Sequence, residues 1–68
     1  MSRASAVGLL VDARQALTAD LRDKPPQEAE RHQRMLQDVE RLLLNVRAGR
    51  TNEFHLEFPT RVHVLVSN

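Results

Sequence analysis

The stretch Glu53-Phe54-His55-Leu56-Glu57-Phe58-Pro59-Thr60-Arg61-Val62-His63-Val64-Leu65-Val66 decides how this chain folds. Large apolar residues alternate along it with polar ones. Phe54, Leu56, Phe58, Thr60, Val62, Val64 and Val66 fall on one face of an extended strand, and His55, Glu57, Pro59, Arg61, His63 and Leu65 on the other. That is the period of a half-buried strand. The rest of the chain has helical periodicity and offers no second strand. A lone strand leaves a row of backbone N–H and C=O groups unmatched. Read as one strand over about 53–66, the segment pairs with a second polypeptide: the same segment of another copy, or an edge on another protein. An intrachain hairpin turning at Pro59-Thr60 is the competing reading. Tight hairpins prefer Gly or Asn at such a turn, and neither is present. Pro59 also removes a ladder donor, which suits an edge, a bulge or a bend.

Immediately upstream, Gly49 is placed to cap a helix C-terminus, with Arg47 and Arg50 near the negative end of its dipole. That helix is expected from about Pro26 to Ala48. Its seam is Met35, Val39, Leu42 and Val46, widened by Ala29, Leu36 and Leu43. Glu30, Arg34, Asp38 and Arg41 follow at helical spacing and support an exposed face. The first helix is expected from about Ser5 to Leu21, capped by Ser2 or Ser5. Its apolar stripe is Val7, Leu10, Val11, Ala13, Leu17 and Leu21. Asp23-Lys24-Pro25-Pro26 separates the two helices, with Asp23 or Lys24 as the expected cap of the second. Both prolines fit a first helical turn, whose N–H groups are spare. So short a link makes the helices antiparallel neighbours. The fold class is mainly α, in a single small domain over 1–68: an antiparallel helical hairpin followed by a C-terminal β-strand, paired between the subunits of a homodimer.

Size and composition agree with assembly. A chain of 68 residues without cysteine has neither disulfides nor zinc–thiolate sites to stabilise a small core. Oligomerisation is the remaining route, and a two-fold homodimer is its commonest form. The apolar faces of two paired strands, carrying Phe54, Leu56, Phe58, Val62 and Val64, are the expected dimer interface. Near Met1 a short apolar run is broken by Asp12 and Arg14, which fits a cytoplasmic helix rather than a membrane span.

No catalytic constellation, phosphate loop, cofactor motif or metal-ligand spacing is present, so the chain reads as noncatalytic. His55 and His63 are eight residues apart on one strand face, roughly 26 Å if extended, too far to share a metal within one chain. Between antiparallel subunits they approach, which makes an intersubunit metal or pH-sensitive site conceivable. His32 reads as a boundary residue paired with Glu28 one turn earlier. Arginines are many, but Glu28, Glu30, Asp38 and Glu40 are interleaved with them, and the formal net charge is only +1. That balance argues against a nucleic-acid surface.

Protein binding fits better. Leu42, Leu43 and Leu44 are consecutive, and three neighbours on a helix cannot all face one partner. Leu44 and Val11 are therefore candidates for exposed apolar positions. Arg34, Arg41, Leu44 and Arg47 form the expected partner-binding surface, aimed at another protein as target. In length, and in having two helices followed by a tail, the chain is similar to small phage-encoded antagonists of bacterial host regulators, including quorum-sensing anti-activators. That resemblance implies an inhibitor or adaptor that works by occupying the surface of a transcriptional regulator. The alternatives are a small DNA-binding transcriptional regulator and a structural subunit of a larger assembly.

Overall fold

A computed structural model describes residues 1–58 and 60–67 of the chain. Helix α1 spans Arg3–Leu21, helix α2 spans Pro26–Arg47, and strands β1 (Glu53–Leu56) and β2 (Val62–Leu65) follow. The chain is mainly helical, and its tail is a two-stranded antiparallel sheet.

Local chemistry explains each boundary. Ser2 caps α1, its hydroxyl accepting from the Ser5 N–H at 3.1 Å. The cap of α2 is Pro25 rather than Asp23 or Lys24, with Pro26 in the first turn. Extended geometry at Pro25 (ψ 157°) lets its carbonyl accept from the N–H groups of Glu28 and Ala29, so no side-chain cap is used. At the other end, Gly49 adopts φ +77°. The Arg50 N–H donates back to the Asn45 carbonyl at 2.9 Å and the Gly49 N–H to the Val46 carbonyl at 3.1 Å. This is a Schellman stop, and its left-handed residue favours glycine.

The core draws on all four elements. Ala6, Leu10, Ala13 and Leu17 of α1 pack with Val39, Leu43 and Val46 of α2 and with Phe54, Leu56 and Val64 of the sheet. Leu10, Leu17 and Val46 are its largest fully enclosed side chains. Burial of each is worth about 1.5–3 kcal/mol. Ala6 and Ala13 have little side chain beyond the helix backbone, so they let neighbours approach α1 closely. In α2 the buried line runs through Leu43 rather than Leu42, which is half-buried. Gly8 marks no close helix approach: a methyl group there would meet nothing within 4 Å.

The tail departs from the expectation of one strand awaiting another chain. Glu53 pairs with Leu65, Phe54 with Val64, His55 with His63 and Leu56 with Val62, all within one chain. Residues 57–61 lie between the strands, a connection long enough to need no Asn-Gly turn. The expected role of Pro59 lies outside the described residues. The face assignment agrees with the alternation: Phe54, Leu56 and Val64 are buried, and His55, His63 and Leu65 are exposed.

The N-terminal residues reach the sheet as well. The Met1 nitrogen donates to the Leu65 carbonyl at 2.8 Å, and the Ser67 N–H donates to the Met1 carbonyl at 2.7 Å. Ser2 and Ser67 form a parallel bridge. Arg3 secures this junction, its guanidinium donating to the Val46 carbonyl and to Asn52 Oδ1. A cation there also opposes the negative C-terminal end of α2.

Candidate protein-binding surface

Helix α2 contributes to two surfaces, on opposite faces of the helix. On its outer side Leu44 is 69% exposed, the most exposed large apolar side chain among the described residues. Arg41 and Arg47 flank it three residues before and three after, which places all three on one helical ridge. Neither arginine forms an ion pair or hydrogen bond among the described residues. Arg34, about two turns before Arg41, is exposed but tied to Glu30 at 3.3 Å. Three of the four expected partner-binding residues thus form a continuous patch, an apolar knob between unpaired cations, and Arg34 stands apart. Val11, the other expected exposed apolar residue, is half-buried against the core.

On the opposite face of the helix, between α2 and β1, lies a groove of about 230 Å3. Met35, Val39 and Leu42 line it from α2, and Leu56 and Phe58 from β1 and the residues after it; Leu17 of α1 also contributes. Asp38, His55 and Glu57 form its polar rim. The Asp38 and Glu57 carboxylates have no counter-ion among the described residues. Of the two strands, only β1 lines the groove among the described residues. The Val66 N–H donates to the Asn52 carbonyl at 2.8 Å. Alternation along an antiparallel ladder then directs the N–H and C=O groups of Glu53 and His55 away from β2. The sequence pointed to the apolar residues of this groove as seam or dimer interface. It did not show that they share an open cleft, because that depends on where β1 lies along α2.

The expected dimer-interface side chains are placed inside the chain. Phe54, Leu56 and Val64 are buried against its own helices, and Phe58 and Val62 are half-buried at the margin.

The histidines also sit differently. His55 and His63 face each other across the β-hairpin, their rings stacked with centroids 4.3 Å apart and 6° between planes. The extended spacing of roughly 26 Å therefore does not hold, because the chain reverses between them. His63 Nε2 also lies 3.1 Å from Glu53 Oε2. Among the described residues, no group of three or more His, Cys, Asp or Glu side chains is arranged to hold a metal ion.

His32 meets more partners than Glu28. Its Nδ1 lies 3.1 Å from the Glu28 carbonyl, while Nε2 lies 2.7 Å from Asp20 Oδ2 on α1. Both ring nitrogens thus face oxygen atoms. The ring also meets Phe58 edge-on at 5.7 Å. His32 thus joins both helices to the loop after β1. Sequence spacing gave Glu28 but had no means of finding Asp20 or Phe58, which are distant along the chain.

No helix among the described residues is long and apolar enough to cross a membrane. No family model, curated protein or solved structure matches the chain.

Proposed function

We propose that this chain is a noncatalytic protein-binding adaptor or inhibitor, one that regulates another protein by occupying its surface. A phage-type inhibitor of a host transcriptional regulator is the form of that role which the sequence resemblance suggests. The observation that supports the reading is the ridge Arg41-Leu44-Arg47, an exposed leucine between two cations that no group among the described residues neutralises. An isolated exposed leucine is ordinary, but one flanked by free guanidinium groups suits an apolar pocket with an acidic rim.

Affinity capture from the native host with wild-type protein and with Leu44→Glu tests this. The expected result is one stoichiometric partner held by the wild type and lost from the variant, with both proteins equally folded by circular dichroism. Identical captures from the two proteins would remove the ridge as the binding surface.

A homodimer is the assembly we propose alongside this. The tail pairs within one chain, which leaves the outer edge of β1 and the groove open to a second copy. Sedimentation over a concentration series tests for it. DNA binding is a second reading, favoured only by the unpaired Arg41 and Arg47. It predicts a complex with nonspecific duplex DNA that weakens steeply with salt.

A further inference from the structure

The chain reversal that builds the β-hairpin sets His55 directly opposite His63. The bond from the Val66 N–H to the Asn52 carbonyl fixes the ladder's alternation. Phe54–Val64 and Leu56–Val62 are then hydrogen-bonded pairs, and His55–His63 is a non-hydrogen-bonded pair, the kind whose side chains stand closest. The two imidazoles accordingly stack, with 4.3 Å between centroids and 6° between planes, on the exposed face of the sheet. Glu53 shares that face, with its Oε2 3.1 Å from His63 Nε2.

We infer that His55 and His63 of a single chain chelate a divalent transition-metal ion of the copper, nickel and zinc class, which imidazole nitrogen suits. Two nitrogens that each lie about 2.1 Å from one ion are at most about 4.2 Å apart. Parallel rings with centroids 4.3 Å apart come within that reach by a small inward tilt. Both side chains are exposed, so the tilt disturbs no buried contact. Glu53 places a carboxylate beside the His63 ring, where it offsets the charge of the cation. No third ligand is already in place among the described residues. Water therefore completes the coordination, and the ion exchanges more readily than in a closed four-ligand zinc site. Magnesium and calcium, which take oxygen ligands, do not suit the pair. Because one ligand comes from β1 and the other from β2, the ion ties the strands together and stabilises the folded hairpin. None of this depends on the Arg41-Leu44-Arg47 ridge or on the state of assembly.

Calorimetric titration of the intact chain with zinc and nickel(II) chlorides tests the inference. One ion per chain is expected, bound at least about tenfold more weakly by His55→Gln and by His63→Gln. Magnesium chloride should give no binding. Saturating zinc should raise the thermal midpoint of the wild type and leave that of His55→Gln/His63→Gln unmoved. Both positions are exposed, and circular dichroism checks that the variants are folded. Magnetic resonance reads the wild type without mutation: zinc should shift the ring-proton signals of His55 and His63 before those of His32. Equally tight binding by the folded double variant overturns the inference, as do His55 and His63 ring signals that neither ion moves. A stoichiometry of one ion to two chains also overturns it, because the ion would then lie between copies rather than within one.

Discussion

The two edges of the β-hairpin are treated differently by the chain. Along β2, Met1 and Ser2 supply a short parallel partner, through the Met1 nitrogen to the Leu65 carbonyl and the Ser67 N–H to the Met1 carbonyl. Along β1, the outward groups of Glu53 and His55 have no strand partner among the described residues, and an apolar groove runs beside them. An open strand edge invites pairing with another chain. The contrast shows where this small protein has closed itself and where it stays available.

The largest expected effect comes from removing the base on which both edges rest. Val64→Asp places a carboxylate at a side chain only 2% exposed, in the middle of the inner face. A loss of about 3 kcal/mol or more is expected, enough to abolish a cooperative thermal transition. An unchanged melting curve would mean that the sheet does not pack on the helices as described.

Arg3→Ala acts on the closed edge and on the C-terminal end of α2. It removes the donor to the Val46 carbonyl and to Asn52, which fixes the start of α1 beside the sheet. We expect a loss of roughly 2 kcal/mol in chemical denaturation. Faster amide exchange at Ser67 should accompany it. Exchange at Ser67 that does not change would separate Arg3 from the edge it is held to support.

Native-state hydrogen exchange sharpens the comparison without mutation. The Ser67 amide, bonded to Met1, should be protected, while the Glu53 and His55 amides of dilute monomer exchange freely. Equal protection at both edges would mean that β1 has a partner too. The smallest effect is expected at the outward positions: Glu57→Ala or Arg61→Ala should change stability by no more than about 0.5 kcal/mol. Loss of cooperative unfolding at 25 °C in either would show the hairpin faces to be reversed.

Much of this architecture was legible in residue order. The stripe Leu10-Ala13-Leu17 and the seam with Val39 and Val46 follow from helical spacing, as does the exposure of Leu44 beside Leu43. The double proline gave the interhelical turn, and Gly49 the end of α2. Three features were less legible. Pro59-Thr60 lacks tight-turn residues and so points to pairing with a second chain, but five intervening residues (57–61) relax that requirement. Ala6 was overlooked because a lone alanine carries little hydrophobic signal. Asp20 was not connected with His32 because the contact joins two helices.

Sequence by itself determined which face of each element is buried, because side-chain chemistry repeats with the period of the backbone that carries it. Only the tertiary structure decided which backbone edges meet. Peptide N–H and C=O groups are nearly the same at every residue, so their pairing is selected by where packing places them. The stacking of His55 on His63, the closure of β2 by Met1 and the groove along β1 all follow from that placement.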